Sequence, residues 1–249
     1  MTEKKMLSRE EFEGLLQESA LSMSQDDGLI RRARDLLIDA DKYRWVHQTN
    51  WLGEPLLNLP QDMFAIQNII YKTRPKYIIE LGVAWGGSLL FYSTLLMVLG
   101  GEKVIGIDIY IPDDLRARLN RHGLVSEKII LITGSSVEQT TLAKIVSIIS
   151  DSQEVLVVLD SYHSHDHVLA ELRLYSPLVG KGHYMICSDT IVEYIPIQEH
   201  RPRPWGPGNN PKTALEAFME ETDSFVVDDV VDKKLLITCN PGGYLKRIK

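Results

Sequence analysis

The stretch that decides the fold is Tyr77-Ile-Ile-Glu-Leu-Gly-Val-Ala-Trp-Gly-Gly-Ser88, followed by Val104-Ile-Gly-Ile-Asp108. Both apolar runs are short, as is typical of buried strands, and the glycines after the first run indicate a turn that leads into a helix. In an open α/β sheet, the carboxyl ends of such strands form a crevice for ligands. The stretch therefore predicts a Rossmann-like sheet with a binding site at its first turn.

The glycine spacing restricts the ligand. Gly82-x-x-x-Gly86-Gly87 is not the G-x-G-x-x-G pattern that places a pyrophosphate on a helix N-terminus. A wider turn, with Glu80 in the strand end, suits S-adenosylmethionine, which offers an amino-acid tail and a ribose but no pyrophosphate. We expect Asp108, at the next strand end, to accept hydrogen bonds from the ribose hydroxyls. The alternative is an ordinary strand–turn–helix of another α/β enzyme.

Composition sets broad limits on the class of protein. A chain of 249 residues with 44% hydrophobic and 24% charged residues fits one large α/β domain with an extension. The net charge of −7 argues against a nucleic-acid-binding surface. No apolar run is long enough to span a membrane, and residues 1–5 do not resemble a signal peptide. Cys187 and Cys239 lie in apolar runs and are expected to be reduced, which points to the cytoplasm.

From Tyr77 onward, strand and helix patterns alternate. Short apolar runs predict strands at 77–82, 103–108, 128–133, 154–160 and 182–189. The intervening patterns predict helices at 87–99, 113–121, 137–150 and 165–176. Continuous apolar runs are typical of strands covered on both faces, so we expect a parallel sheet with helices on either side.

The end of the chain is expected to close this sheet. After a helix at 211–221, two strands at 224–231 and 234–239 are too close for a crossover helix and predict an antiparallel hairpin at one sheet edge. The predicted fold class is a Rossmann-like α/β domain over residues 61–249, with an N-terminal helical extension and loop over residues 1–60.

The extension contains two predicted helices and a loop. Ser8-x-x-Glu11 matches a capping box, and a second helical pattern runs from Asp27 to Tyr43. Residues 45–60, rich in Trp, Asn, Gly and Pro, predict an irregular loop, which is followed by a helix at 61–72. These helices are expected to cover the sheet or to mediate self-association.

Chemically useful side chains follow the strand at 154–160. Asp160 ends that strand, and His163 lies three residues later, where it can share a substrate with Asp160 and accept a proton near neutral pH. His165 and His167 are expected to be surface or helix-cap residues. A zinc or iron site built on these histidines is the alternative, although no other segment of the chain supplies further His or Cys ligands.

The next strand ends in another acid. Asp160 and Asp189 follow neighbouring strands and are expected to converge, and two carboxylates with water and a substrate hydroxyl would suit Mg²⁺. In the alternative, Asp189 only caps its loop.

The long loop His200-Arg-Pro-Arg-Pro-Trp-Gly-Pro-Gly-Asn-Asn-Pro211 is predicted to cover the substrate. Trp205, Asn209 and Asn210 offer an aromatic face and amides that suit a sugar ring, and a rigid surface loop is the alternative. Trp45 and Trp51, in the earlier loop, either face the same crevice or are buried.

From about Tyr43 onward, the chain resembles the cephalosporin hydroxylase/rhamnosyl O-methyltransferase family. The matching stretches are Trp51-Leu-Gly-Glu-Pro55, Pro60-Gln-Asp62, Ile79-Glu-Leu-Gly-Val-Ala-Trp-Gly-Gly-Ser88, Gly106-Ile-Asp108, Gly134-Ser-Ser136, Leu159-Asp-Ser-Tyr-His163 and Asn240-Pro-Gly-Gly-Tyr244. The resemblance implies a class I methyltransferase fold that uses S-adenosylmethionine and Mg²⁺.

The resemblance also implies roles for individual residues. By analogy with macrolide-sugar O-methyltransferases, Asp160 would bind Mg²⁺ and His163 would act as the base. The acidic pair of those enzymes corresponds here to Ser188-Asp189, so Asp189 is expected to bind the metal and Ser188 is a weaker third ligand. The cofactor site would include Glu80, Gly82, Gly86, Ser88 and Asp108, and also Ser135, Ser136 and Asp160.

The predicted activity is methyl transfer from S-adenosylmethionine to a hydroxyl of a sugar or another polyol-bearing small molecule, by a protein that forms a homo-oligomer and binds neither nucleic acid nor membrane. Hydroxylation, which the family name suggests, is a second possibility, and a non-catalytic cofactor-binding protein is a third. Iron-dependent hydroxylases usually place two histidines and a carboxylate on a β-barrel, a pattern that this chain lacks.

Overall fold

The computed structural model of the protein describes residues 6–249. The strands, in chain order, are β1 (Thr49–Trp51), β2 (Glu54–Leu56), β3 (Tyr77–Leu81), β4 (Lys103–Asp108), β5 (Ile129–Thr133), β6 (Val155–Leu159), β7 (Tyr184–Cys187), β8 (Phe225–Val227) and β9 (Tyr244–Arg247). The helices are α1 (Arg9–Ser24), α2 (Asp27–Asp41), α3 (Pro60–Thr73), α4 (Gly87–Leu99), α5 (Asp113–Asn120), α6 (Gln139–Ile149), α7 (His165–Tyr175), α8 (Pro211–Glu221) and α9 (Asp229–Asp232).

The main sheet has seven strands in the order β5-β4-β3-β6-β7-β9-β8. The five strands from β5 to β7 are parallel, and β9 is antiparallel to both of its neighbours, β7 and β8. The predicted Rossmann-like sheet with a terminal antiparallel hairpin is therefore confirmed.

The hairpin uses a different second strand from the one expected. The prediction of a strand at 234–239 is wrong, because these residues form a loop and the partner of β8 is β9, at Tyr244–Arg247. The apolar side chains of the loop pack against helices: Leu235 contacts the core, and Cys239 packs against Leu37 of α2. A short apolar run can form either a strand or a loop whose side chains pack against the core. The sequence alone does not distinguish a strand from such a loop.

The core consists of two apolar layers, one on each face of the sheet. Residues of α3 and α4 fill one layer, and residues of α6, α7 and α8 fill the other. All five residues of β6 are buried, as expected for a central strand that is covered on both faces. This arrangement leaves the carboxyl ends of the parallel strands free to form a site.

The N-terminal region differs from the prediction in one respect. The capping box of Ser8 and Glu11 is present at the start of α1, as predicted. The segment 45–60 was expected to be irregular, but it contains the hairpin of β1 and β2. Its turn residues, Leu52 and Gly53, have φ values of +51° and +89°. Two positive φ values in succession are typical of a type I′ turn. The sequence Leu-Gly is a weaker signal for this turn than Asn-Gly, so the hairpin was not predicted.

Across residues 6–249, none of the helices combines the length and the apolar character that crossing a membrane requires. Residues 1–5, which were expected not to belong to a signal peptide, lie outside the described residues.

Candidate active site

Three side chains that were predicted separately meet at the carboxyl edge of the sheet. Asp160 directly follows β6, and Asp189 follows the neighbouring strand β7. The Nε2 atom of His163 lies 4.0 Å from Oδ1 of Asp160 and 3.4 Å from Oδ2 of Asp189. One ligand atom from each residue lies within 4.8 Å of the other two. The structure thus forms the acid–histidine–acid cluster that the strand order leads one to expect.

A glycine allows the first turn to approach this cluster. Gly82 has a φ of +96°, and a Cβ atom placed there would lie 2.0 Å from the carbonyl oxygen of Asp160. The backbone N–H of Asp160 also donates to the carbonyl of Leu81 at 2.8 Å. A larger side chain at position 82 would therefore separate the ends of β3 and β6. Gly82 is required for the approach of two backbones, in addition to its expected role beside a cofactor.

The electrostatics of the cluster favour a cation. Burial, and then the nearby charge of Asp189, raise the pKa of Asp160 from 3.8 to about 7, while His163 and the amide of Asn58 act in the opposite direction. The Nδ2 atom of Asn58 lies 3.4 Å from Oδ2 of Asp160. Two carboxylates that repel each other in a partly buried site are stabilised by a bound cation, and their hard oxygen atoms match Mg²⁺. The residues present therefore fit a magnesium ion.

Asp189 has an unusual backbone conformation that the end of the chain supports. Its φ of +56° is in the left-handed region, and its N–H donates to the side-chain oxygen of Asn240 at 2.9 Å. The next residue, Thr190, donates its hydroxyl to the carbonyl of Pro241 at 2.9 Å. Ser188 is buried and is not among the residues that line the adjacent cavity. Its position gives no support to its expected role as a third ligand.

A cavity of about 530 Å³ opens above the cluster. The glycine turn after β3 forms one wall, and α2, the 3₁₀ turn Trp45–Gln48 and the loop 191–209 form the others. Of the residues predicted for cofactor, metal and substrate binding, those that line the cavity are Gly82, Gly86, Ser88, Asp160, His163, Asp189, Trp205 and Asn209.

Two acids expected at the cofactor, Glu80 and Asp108, are not among the residues that line the cavity. Glu80 is buried and accepts a hydrogen bond from the hydroxyl of Ser88 at 2.9 Å, and burial raises its pKa well above the usual range. The carboxylate of Asp108 accepts hydrogen bonds from the backbone N–H groups of Val83 at 2.9 Å and of Tyr110 at 3.1 Å. Asp108 thus holds the glycine turn at Val83, and Glu80 holds the end of the turn at Ser88, where α4 begins.

The two serines predicted for the cofactor site also do not line the cavity. Ser136 is buried, its hydroxyl lies 3.2 Å from Nε2 of His167, and its carbonyl accepts a hydrogen bond from Tyr175. Ser135 precedes it on the surface side, half-buried. The loop that contains these serines is therefore tied to α7.

The other two histidines have separate partners. His165 begins α7, and its Nδ1 atom lies 2.9 Å from the hydroxyl of Thr213 in α8. His167 lies 3.2 Å from the buried carboxylate of Glu171, so its ring belongs to an internal polar network and is not the surface residue that was expected. Among residues 6–249, the cluster of potential metal ligands contains His163 but neither of these histidines. The alternative of a histidine-rich zinc or iron site has no structural support.

The loop predicted as a lid is only partly placed for substrate contact. The ring of Trp205 lies edge-on to His163, with 5.1 Å between their centroids. Asn209 lines the cavity, but its Oδ1 atom accepts a hydrogen bond from the backbone N–H of His165 at 2.9 Å. Asn210 is fully buried, does not line the cavity and caps α8, so the prediction that it contacts substrate is corrected. Asn at the N-cap and Pro at the first helical position are common at helix starts, which explains why Asn210 caps α8.

The two tryptophans of the earlier loop do not face the cavity. The indole N–H of Trp51 donates to the hydroxyl of Thr94 at 3.2 Å, and its ring packs edge-on to Phe91 of α4. Trp45 is 37% exposed at the surface.

Several residues of the site were not predicted from the sequence. They come from loops that are distant in the chain, and they are His47, Asn58, Arg201, Arg203 and Asn240. Asn240 lies in the Asn-Pro-Gly-Gly-Tyr stretch, and Arg201 and Arg203 lie in the loop that was predicted to cover the substrate, but none of the three was assigned a role. The two arginines alternate with prolines in that loop, which was the only local signal for them.

The strand order, with antiparallel β9 inserted between β7 and β8, and the acids at the carboxyl edge define a class I methyltransferase fold. Solved structures of CmcI have this fold. The apo form is 21% identical, over 82% of this chain and 77% of that one, with a TM-score of 0.57. A form described with Mg and SAM is also 21% identical, over 82% and 78% of the two chains, with a TM-score of 0.56.

Residues 43–248 match the family model described as rhamnosyl O-methyltransferase/CmcI, and the chain belongs to this family. The rhamnosyl O-methyltransferase of Mycobacterium leprae is 30% identical over 230 residues, which are 88% of this chain and 94% of that protein. The rhamnosyl O-methyltransferase of Mycobacterium tuberculosis H37Rv is 28% identical over 205 residues, 80% and 78% of the two chains. The family expected from the sequence motifs is therefore confirmed.

Proposed function

We propose that the protein transfers a methyl group from S-adenosylmethionine to a sugar hydroxyl and requires a divalent cation for this reaction. The observation that carries the proposal is the cluster of Asp160, His163 and Asp189, which lines the same cavity as the glycine turn after β3. Membership of a family whose relatives are named rhamnosyl O-methyltransferases supports both the reaction and the sugar.

The cofactor is proposed to lie along the glycine turn, in contact with Gly82, Gly86 and Ser88. Glu80 holds the hydroxyl of Ser88, so it would act by orienting that side chain. Asp108 accepts hydrogen bonds from the backbone, and a carboxylate has several further lone pairs that remain available for ribose hydroxyls. Ser135 and Ser136 would shape the far end of the cofactor site through the loop that contains them.

The metal is proposed to bind Asp160 and Asp189. A bound Mg²⁺ supplies Lewis-acid polarisation of the acceptor hydroxyl. The protein holds these ligands rigidly: Asn58 contacts one carboxylate, and Asn240 fixes the backbone that presents the other. Rigid placement matters because aligned reactants can contribute a large part of the barrier reduction.

His163 is proposed to accept the proton of the acceptor hydroxyl. The new bond forms between that oxygen and the methyl carbon, the bond from this carbon to sulfur breaks, and the hydroxyl proton passes to Nε2 of His163. The carboxylate of Asp189, 3.4 Å from Nε2, stabilises the imidazolium that results. Trp205 packs edge-on to this imidazole and presents an apolar surface to the sugar ring.

The structure argues against hydroxylation as the reaction. The cluster offers one histidine and two carboxylates on an α/β sheet, whereas iron-dependent hydroxylases use two histidines and one carboxylate. A non-catalytic cofactor-binding role is disfavoured as well, because such a role would not require an acid–histidine–acid cluster in the cavity.

The test is an assay with methyl-labelled S-adenosylmethionine, Mg²⁺ and a panel of free and linked sugars, including rhamnosides. We expect a methyl ether on one of the sugars in the complete mixture and none with chelator. Label on the sugar in both mixtures would contradict the metal requirement, and oxygen incorporation without methyl transfer would contradict the reaction type.

We also propose self-association through α1 and a cytoplasmic location. No residue of α1 is buried, and Phe12, Leu15 and Leu16 are about half exposed, which is unusual for a stable surface helix. Cys187 and Cys239 are free and buried, in keeping with a reducing compartment. Sedimentation of the full chain beside a Leu15→Glu variant tests the association.

A further inference from the structure

Basic side chains gather on the outer wall of the cavity, although the chain as a whole carries a net charge of −7. Arg201 and Arg203 come from the loop that follows β7, and His47 comes from the 3₁₀ turn Trp45–Gln48. None of the three is needed for the proposed methyl transfer. Their position on the wall raises the question of what they bind.

The two arginines differ in their partners. Arg201 is paired, because its guanidinium lies 2.8 Å from Oδ1 of Asp41, whose Oδ2 atom lies 2.9 Å from His200. Asp160 and Asp189, the other carboxylates that line the cavity, belong to the metal cluster. Within residues 6–249, no carboxylate lies within ion-pair distance of Arg203, which is exposed on the cavity wall. Arg203 therefore carries a charge that no protein carboxylate pairs with.

The remaining basic residue of the wall is His47. Burial, and then the charge of Arg201, lower the pKa of His47, with Asp189 and Asp41 acting in the opposite direction and Arg203 adding to the decrease. His47 is therefore not counted among the charged groups of the wall.

Trp205 connects Arg203 to the reacting centre. The Cζ atom of Arg203 lies 5.4 Å from the centroid of the Trp205 ring, and the imidazole of His163 lies 5.1 Å from the same centroid. All three residues line the cavity. A ligand that occupies the cavity beside Trp205 therefore lies close to both the proposed base and the guanidinium of Arg203.

We propose that Arg203, with Arg201 beside it in the chain, forms an anion subsite of the cavity, and that the acceptor is a sugar with a phosphate or carboxylate group. This inference rests on the proposed function. Guanidinium groups suit such anions, because their planar donors match the oxygens of a carboxylate or phosphate. The lack of a carboxylate partner for Arg203 among the described residues is then explained by the ligand.

The test compares matched sugars that differ in charge. Calorimetry on the full chain, loaded with Mg²⁺ and S-adenosylhomocysteine, would measure binding of L-rhamnose beside L-rhamnose 1-phosphate, and of D-galactose beside D-galacturonate. We expect the charged member of at least one pair to bind about tenfold more tightly or better, as charge-assisted hydrogen bonds allow. The first pair reports on phosphate and the second on carboxylate.

Arg203→Gln is the decisive variant, since Arg203 is exposed and its replacement is not expected to affect folding. It should remove most of the preference for the charged sugar and leave the neutral sugar unaffected. Arg173→Gln is the matched control, because Arg173 pairs with Glu221 on the surface and does not line the cavity. Equal binding of both members of each pair, or a preference that Arg203→Gln does not change, would overturn the inference.

The methyl-transfer assay, run with the same sugars and variants beside the calorimetry, separates this inference from the proposed function. Tight binding of a charged sugar that is lost in Arg203→Gln, without methyl transfer to any sugar, would support the subsite and contradict the methyltransferase. Methyl transfer to neutral and charged sugars with equal KM would support the methyltransferase and contradict the subsite.

Discussion

The side-chain oxygen of Asn240 accepts a hydrogen bond from the backbone N–H of Asp189, at a distance of 2.9 Å. Asp189 has a positive φ, a conformation that costs a non-glycine residue about 1–2 kcal/mol. The loop that contains Asn240 is itself anchored, because the buried carboxylate of Asp62 accepts hydrogen bonds from the hydroxyl of Thr238 and from the backbone N–H of Cys239. Helix α3 thus fixes a proposed metal ligand through the last loop of the chain.

We therefore expect Asn240→Ala to weaken metal binding although Asn240 is not a ligand. The substitution leaves the N–H of Asp189 without a partner, which should lower the free energy of unfolding by about 1–3 kcal/mol. It should also raise the Mg²⁺ concentration needed for half-maximal turnover. Denaturant unfolding and a Mg²⁺ titration of activity measure the two effects. Asn120→Ala, at an exposed helix end, is the control, and an unchanged Mg²⁺ requirement in Asn240→Ala would contradict the positioning role.

Asp160→Asn and Asp189→Asn test the metal ligands directly. Each change removes a negative charge from the cluster, so we expect both variants to need far more Mg²⁺ for turnover while S-adenosylhomocysteine still binds. Activity at varied Mg²⁺ and calorimetry with the product give the two readings. Asp166→Asn, at an exposed position in the first turn of α7, is the matched control. Full activity of both cluster variants in excess chelator would show that these acids have only a structural role.

The raised pKa of Asp160 predicts a pH dependence of stability in the absence of metal. A carboxyl group whose pKa is raised in the folded state stabilises the fold when protonated, and this contribution is lost as the pH rises through the folded-state value. For Asp160 the loss should extend from about pH 4 to just above its folded pKa of about 7. Thermal unfolding in chelator should therefore show a decrease in stability across this interval that Asp160→Asn lacks.

Added Mg²⁺ should reverse this trend, because it binds the ionised carboxylates. The increase in melting temperature caused by Mg²⁺ should grow with pH over the same interval. An increase of the same size at pH 5 and pH 8 would be inconsistent with Asp160 as a ligand.

The variant His163→Ala tests whether His163, and not a neighbouring histidine, is the base. Positioned proton transfer typically contributes about 10²–10⁴-fold to a rate, and we expect a loss of that order with cofactor affinity nearly unchanged. His165→Ala is the control, since His165 contacts Thr213 and does not line the cavity. Turnover numbers of the two variants should differ accordingly. Near-normal turnover of the His163→Ala enzyme would show that another group accepts the proton of the sugar hydroxyl.

The parts of this structure that were predictable from the sequence are those with local signals. The strand and glycine turn at 77–88 combine an apolar run with glycines, and the convergence of Asp160 and Asp189 follows from the parallel arrangement of their strands. The strand predicted at 234–239 was wrong because an apolar run does not reveal whether its backbone joins a ladder. Asn210 illustrates the same limit: the amide that suits a sugar also suits a helix cap.

The unpredicted parts depend on contacts between distant segments. Asn58 reaches Asp160 across 102 residues, and Asn240 reaches Asp189 across 51. Single asparagines in loops carry no periodic pattern, so nothing in the local sequence marks Asn58, and the motif that contains Asn240 does not reveal which residue it contacts. The positive charge of Arg203 becomes informative only when the fold shows that Arg203 and His163 both pack against Trp205.

The most direct test of the central claim is the fate of the methyl group of S-adenosylmethionine when the protein, Mg²⁺ and a sugar acceptor are present together. With carbon-13 in that methyl group, NMR should show the sulfonium signal replaced by a methyl ether signal on the sugar, with one S-adenosylhomocysteine formed for each ether. The Asp160→Asn protein under the same conditions should leave the sulfonium signal intact. Methyl ether formation at equal rates by both proteins, or none by the native protein with any sugar of the panel, would contradict the account.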